Sequence, residues 1–281
     1  MRLGKFSIHS CMDGLFRLDG GAMFGIVPRV LWEKTDPPDD KNRILLALRS
    51  LLIKTGEANI LVDTGVGDKG DQKFRDIYMI DRNPPLKGAL AAYGLTPQDI
   101  DIVINTHLHL DHAGGNTCVG NDGGIIPAFP RAKYVIQKGE WGDATNPNER
   151  TKGSYIANDF LPLEGLGVVD FVDGNEVEII KGVSVIVAGG HTAFHQCVKV
   201  ESEGEVALFL ADLVPTASHL PLPYIMAYDL VPQDTLRAKK SLLKQVVEED
   251  WLVIFQHDPR VEAGYLRQEG NKTVLREEVK L

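Results

Sequence analysis

Short apolar runs recur along the chain, separated by polar or glycine-bearing breaks, at 44–53, 59–62, 100–104, 133–136, 168–172, 177–180, 183–188, 197–200, 206–210 and 252–255. Runs of this length, rich in Val and Ile and bounded by Gly, Asp and Asn, read as strands buried inside a sheet. Two stretches carry helical spacing instead. They are 85–93 and 232–249, the second with Leu236, Leu243, Val246 and Val247 on one stripe and charge on the opposite side. Gly174, Gly182 and Gly204 fall between neighbouring strand candidates and mark tight turns. Many strands with a few interposed helices predict sheets covered by helices.

The stretch 11–43 breaks this pattern. It strings Gly14, Gly20, Gly21, Gly25, Pro28, Pro37 and Pro38 among Met23, Phe24, Ile26, Val27, Leu31 and Trp32, and reads as a long apolar loop. Such a loop either covers a substrate or packs on its own domain or on a second subunit, so a homodimer is compatible with it. No low-complexity tract or Pro/Gly/Ser-rich linker divides the chain, which predicts a single domain over 1–281.

Composition narrows the class. With 281 residues, 43% hydrophobic and 25% charged, the chain is neither disordered nor fibrous. Its net charge of −9 and scattered basic residues argue against nucleic acid as a partner. No run approaches the ~18 apolar residues of a membrane helix, and the N-terminal residues lack a basic start followed by an apolar core. A cytoplasmic protein is therefore expected. Cys11, Cys118 and Cys197 show no CxxC spacing and read as small buried hydrophobes, with Cys118 the nearest to the chemistry described next.

Directly after the strand candidate 100–104 comes Asn105-Thr106-His107-Leu108-His109-Leu110-Asp111-His112-Ala113-Gly114-Gly115. Alternate residues of an extended segment point the same way, so His107 and His109 can grip one metal ion together. Asp111 and His112 follow where the chain turns and can reach a neighbouring ion. One loop cannot close two metal sites. Further donors stand at the exits of later apolar runs: His191 after 183–188, Asp212 after 206–211 and His257 after 252–256. Each of these residue types alone is more often structural; seven in this pattern point to a metal site.

The HTHLHLDHAGG motif, Gly190-His191-Thr192, Ala211-Asp212 and Gln256-His257-Asp258, in this order, resemble the metallo-β-lactamase superfamily. Leu61-Val62-Asp63-Thr64-Gly65 resembles its early Asp-containing turn. Leu18 to Gly25 and Met226-Ala227-Tyr228-Asp229 are similar to the branch of quorum-quenching N-acyl-homoserine-lactone lactonases.

The resemblance implies an α/β fold, a four-layer αββα sandwich with two sheets face to face and a dinuclear metal site at one edge. It implies that His107, His109 and His191 hold a first ion, that Asp111, His112 and His257 hold a second, that Asp212 bridges, and that Asp63 accepts hydrogen bonds fixing the histidine loop. Histidine and carboxylate donors without thiolate suit two divalent ions, zinc first, with iron, manganese or cobalt as alternatives. Two such ions sharing a water make hydroxide near neutral pH. The expected reaction is attack of that bridging hydroxide on a lactone or ester carrying an apolar portion, with Asp111 and Asp212 catalytic and Asp111 passing the proton to the leaving alkoxide.

One position departs from the branch: Pro215 stands where those lactonases have a tyrosine three residues after the bridging aspartate, and His219, Tyr224 or Tyr228 are the candidates to replace it. Alternatives are thioester cleavage of the glyoxalase II kind, phosphotriester or β-lactam hydrolysis, and a non-hydrolytic metal-binding sensor or di-iron redox protein. His195 reads as a packing or supporting residue, His9 as a structural or exposed residue of an N-terminal strand, and Trp32, Trp141 and Trp251 as core anchors.

Overall fold

A computed structural model describes residues 1–281. The chain forms two seven-stranded sheets, one two-stranded ribbon and the helices beside them. It divides into two compact units. One comprises 6–14 and 48–174, the other 1–5, 15–47 and 175–281.

In the first unit, the strand Arg43–Lys54 pairs antiparallel with Asn59–Val62, which continues through parallel neighbours Ile102–Ile104, Lys133–Gln137 and Val169–Val172. Parallel strands are apolar on both faces, and Val103, Ile104, Tyr134 and Ile136 are all buried. Helices Leu86–Ala92, Lys138–Thr145 and Ala157–Gly165 contribute Leu90, Trp141, Phe160 and Leu163 to the same core.

The second unit holds the other sheet, Glu176–Ile180 to Lys272–Val279. Its neighbours are antiparallel except where Glu205–Phe209 runs parallel to Leu252–Ile254. That parallel pair needs a crossover, and the helix Pro232–Glu248 supplies it, burying Leu242, Leu243 and Val246 against Leu208, Val253 and Phe255. No helix is long and apolar enough to cross a membrane.

All ten expected strands and both helices are present, with ends shifted by up to two residues. Gly182 and Gly204 lie at positive φ in the expected turns. Three expectations need correction. The stretch 11–43 is not one loop: the strand Phe6–Asp19 enters it, Asp19 caps a short helix Gly20–Phe24 by accepting the Ala22 N–H at 2.8 Å, and a second short helix spans Arg29–Trp32. The N-terminal strand expected around His9 thus runs on through Asp13, a charged residue at a fully buried position, and Gly14. On the long helix, Leu236 and Val247 are only half-buried, whereas Thr235 and Lys239 are buried. Finally, His219, one of the candidates to replace the tyrosine, takes a structural place in its loop. It has no exposure, and its ring stacks on Phe24 at 4.5 Å with 9° between planes.

The apolar segment around Phe24 is anchored by that histidine. The ring of Phe24 lies between His219 and Trp32, the latter at 5.2 Å and 7°. The Met23 carbonyl can only accept, so His219 donates to it from Nε2 at 2.9 Å, while its Nδ1 accepts from the Thr216 hydroxyl at 2.8 Å. The ring is therefore neutral, and burial pulls its pKa down from 6.5 to about 3. Met23, Phe24 and Trp32 are buried, while Ile26, Val30 and Leu31 are exposed.

This neutral ring has a pH consequence. Between 6.5 and about 3 the unfolded chain binds a proton at His219 that the folded chain refuses. The associated stability is complete above 6.5 and is lost as pH falls, by up to about 1.4 kcal/mol per pH unit. Urea denaturation of the wild type and of His219→Asn should show a stability gap that narrows on acidification through this window; a gap independent of pH would show that the ring is not held neutral.

Candidate functional site

The donors of the first unit sit where the strand Ile102–Ile104 ends. Asn59–Val62 runs beside that strand and delivers Asp63, at φ 55°, whose N–H bonds to the Ile104 carbonyl at 2.9 Å. The Asp63 carboxylate, fully buried, accepts three hydrogen bonds: from the Thr106 N–H at 2.8 Å, from the Thr106 hydroxyl at 2.8 Å and from His112 Nδ1 at 2.9 Å. It fixes the start and the end of the motif at once. His112 must carry its proton on Nδ1 to make this bond, which leaves its Nε2 lone pair for a metal. The Thr106 hydroxyl, having donated to Asp63, accepts from His107 Nδ1 at 3.1 Å, so His107 also offers Nε2. The rings of His107 and His109 lie 4.5 Å apart, those of His107 and His112 3.9 Å, and Asp111 Oδ2 is 3.7 Å from His112 Nε2.

Leu108, between two candidate ligands, turns its side chain into the core and donates its N–H to Glu140 Oε1 at 3.0 Å. The same oxygen accepts from the Tyr155 hydroxyl at 3.0 Å, and the Tyr155 ring lies 5.0 Å from that of His109. Burial and the charge of Glu140 raise the Tyr155 phenol well above its ordinary pKa. Behind the motif, a Cβ on Gly114 would come within 2.3 Å of the Val66 carbonyl oxygen, so this closeness of chains requires glycine. Lys69 ties the same corner, donating to the carbonyls of Gly114 and Thr117 beside Asp159, whose carboxyl burial raises to about 6 against the pull of Lys69. Tyr78 ends the helix Gln72–Tyr78, and burial together with the charge of Asp111 raises its phenol.

In the second unit His191, Asp212 and His257 come together. His191 follows Gly189 and Gly190, both at positive φ, and a Cβ on Gly190 would strike Thr235 Oγ1 at 2.3 Å. Asp229 Oδ1 lies 2.9 Å from His191 Nδ1, and the Thr235 hydroxyl donates to Asp229 Oδ2 at 2.7 Å. His257 Nδ1 donates to the Ala47 carbonyl at 2.8 Å. Asp212 stands between the two rings, with Oδ2 at 3.1 Å from His191 Nε2 and Oδ1 at 3.0 Å from His257 Nε2. Its N–H donates to His195 Nε2 at 3.1 Å, so His195 supports the Asp212 backbone and spends on it the nitrogen a metal would need.

These contacts test whether the residues suit a metal. Both Nδ1 atoms are committed as donors, to a carboxylate and to a carbonyl, so in its neutral form each ring turns a lone pair toward an Asp212 oxygen. Lone pairs and a carboxylate at this range repel unless positive charge lies among them, which a divalent cation supplies. The donor set fits. The residues able to hold an ion are His107, His109, Asp111 and His112 from the first unit and His191, Asp212 and His257 from the second.

The model of the metallo-beta-lactamase superfamily matches residues 48–257, most of the chain. The chain belongs to the metallo-β-lactamase superfamily. The fold agrees: a probable metal-dependent hydrolase from Staphylococcus aureus superposes with a TM-score of 0.90 at 31% identity, covering 99% of this chain and 100% of that one. AidC, a dizinc quorum-quenching lactonase in complex with a product, shares the fold with a TM-score of 0.82 at 21% identity, covering 100% and 97%. By sequence, an N-acyl homoserine lactonase of a Bacillus species is 27% identical over 227 residues, 76% of this chain and 82% of that protein. Metal-dependent hydrolase is thus the class of activity of this superfamily member.

Sequence reasoning missed Glu140, Tyr155, Tyr78, Lys69 and Thr235, which belong to no spaced motif and act on the site from other elements. Asp229 lay inside a stretch that resembled the lactonase branch, without a role. Its removal is informative: Asp229→Ala should loosen metal retention roughly 10–100-fold in competition with a chelator, as loss of the carboxylate behind a ligating imidazole does. Retention at the wild-type level would mean that His191 is not a ligand.

Proposed function

We propose that this superfamily hydrolase is a dinuclear zinc lactonase acting on N-acyl-homoserine-lactone-like substrates, with 1–281 working as one catalytic domain. In this reading His107, His109 and His191 hold one ion, Asp111, His112 and His257 the other, and Asp212 is shared. The observation that carries it is the Asp212 carboxylate facing His191 Nε2 and His257 Nε2 at 3.1 and 3.0 Å, with both Nδ1 atoms engaged as donors elsewhere. Imidazole and carboxylate donors without thiolate favour zinc. A lactone is favoured over other esters because the relatives similar over most of this chain include proteins named as N-acyl homoserine lactonases.

When bound, the two cations would supply Lewis acidity, lowering the pKa of a water and offsetting the charge that develops on a carbonyl oxygen. The chain's own residues would do the rest. Asp63, Asp229 and the Ala47 carbonyl keep the imidazoles aimed by holding their Nδ1 protons. Asp111, partly exposed beside the fully buried His112, is the carboxylate that can take a proton from the attacking water and deliver it to the ring alkoxide as the ester C–O bond breaks. Of the candidates to stand in for the tyrosine absent at Pro215, His219 is spent on Thr216 and Met23, and Tyr224 sets its ring edge-on to Phe24. Tyr228 is exposed and adjacent to Asp229, which makes it our candidate for the substrate carbonyl.

Proton release from N-hexanoyl-homoserine lactone near neutral pH tests the proposal. Zinc-loaded wild type should turn over and His107→Ala should not. Asp111→Asn should keep most of its metal yet lose on the order of 10²–10⁴ in kcat. Two metals bound without lactone turnover would overturn the substrate assignment, and an active Asp111→Asn would overturn the proton carrier.

A further inference from the structure

The long helix Pro232–Glu248 buries a lysine. Lys239 has no exposure, and its ammonium donates to the carbonyls of His219 at 2.6 Å, Tyr224 at 2.8 Å and Pro221 at 3.1 Å. An ammonium has three N–H donors, and three carbonyl oxygens receive them. A neutral amine would keep only two donors and turn its lone pair on the third oxygen. Burying a charge with no carboxylate bonded to it is costly, and desolvation does pull this group down to about 7 against the charge of Asp229. A Met or Leu at this position of the apolar stripe would avoid that cost, so the ammonium needs a reason.

The carbonyls it gathers supply one. His219 and Tyr224 are two of the residues whose rings enclose Phe24, His219 stacked on it and Tyr224 edge-on at 6.0 Å. The loop they belong to joins Asp212 to Asp229, both in the candidate site. The same loop holds the short helix Gly20–Phe24: His219 bonds to the Met23 carbonyl, and the Ala227 N–H donates to the Ala22 carbonyl at 2.8 Å. A Cβ on Gly25 would come 2.3 Å from the Ile225 carbonyl oxygen, so the two segments are in close backbone contact. The Thr235 hydroxyl, four residues before Lys239, holds Asp229 at the loop's other end. One helix thus grips the loop at two places.

We propose that Lys239 is a positioning residue: by drawing three carbonyls of 219–224 onto one ammonium it sets the course of the loop between Asp212 and Asp229, and with it the seat of Phe24, so that it governs substrate binding without touching the substrate. The effect on substrate rests on the hydrolase reading above; the effect on the loop does not.

Lys239→Met in the full-length, zinc-loaded protein separates the two. Hydrogen exchange followed by mass spectrometry should show faster exchange in 20–27 and 216–227, with unchanged protection in the strands 102–104 and 133–137 and unchanged zinc content. KM for the lactone should rise about tenfold, the size of one charge-assisted hydrogen bond, with kcat nearly kept. Unchanged exchange in both segments overturns the proposal, as does faster exchange with KM unaltered. Should the wild type turn over no lactone, the functional reading fails and exchange alone decides the clamp. Should Lys239→Met not fold, the wild type labelled with ¹⁵N-lysine decides: one ammonium signal with slowly exchanging protons supports the clamp, and its absence overturns it.

Discussion

A buried carboxylate cannot rest between two imidazole lone pairs without positive charge among them, and the candidate site is arranged around that constraint. Asp212 faces the Nε2 atoms of His191 and His257, and neither ring can relieve the repulsion by moving its proton, because Asp229 and the Ala47 carbonyl hold the Nδ1 hydrogens. The same logic governs His112, whose Nδ1 proton is held by Asp63. An imidazole tied from behind in this way presents its Nε2 in a fixed direction. These rings are aimed by groups whose own hydrogen bonds point away from Asp212.

The supports come at close quarters and from separate elements. Asp63 is presented by a strand parallel to the one that carries the histidine motif, so the register of that pair, Ile60 with Ile102 and Val62 with Ile104, decides whether its carboxylate meets Thr106. Slipping such a register by one residue would turn the carboxylate to the opposite face. Gly190 answers to the same demand for closeness, since a side chain there would push away Thr235 and with it Asp229. Glycine beside a ligand is in this case a matter of room for a partner as much as of backbone freedom.

The legible part of this protein follows from these demands. Strands leave short apolar runs, and all ten such runs read from the sequence are strands. The candidate ligands stand at the exits of those runs, which made His107 to His112, His191, Asp212 and His257 readable as one candidate set. What stayed hidden was wherever a buried position is polar. Asp13, taking the N–H groups of Val66, Gly67 and Leu86 and the guanidinium of Arg82, concealed how far the N-terminal strand runs, from Phe6 to Asp19. The hairpin Ala263–Glu269 and Lys272–Val279 escaped for the opposite reason: it is largely exposed and charged, so no apolar run announces it. Pro162 disguised the helix Ala157–Gly165. Partners such as Glu140 and Thr235 are single residues whose meaning exists only once the chain has folded.

Lys239 belongs with Asp13 and Glu140 as a charged group placed where hydrophobic patterning asks for an apolar one. In all three cases the charged side chain serves backbone: Asp13 and Glu140 accept peptide N–H groups, and Lys239 donates to peptide carbonyls. Irregular loops leave peptide groups that no ladder or helix satisfies, and burying them unpaired would cost about as much as losing a hydrogen bond for each. A multivalent charged side chain satisfies several at once and fixes their geometry while doing so. The loops that carry the candidate ligands and their partners are irregular because, within each unit, they must turn side chains from strand ends toward one another. It follows that buried charge should accumulate beside such loops and stay rare in the sheet cores, where Leu, Val and Ile meet no unsatisfied backbone.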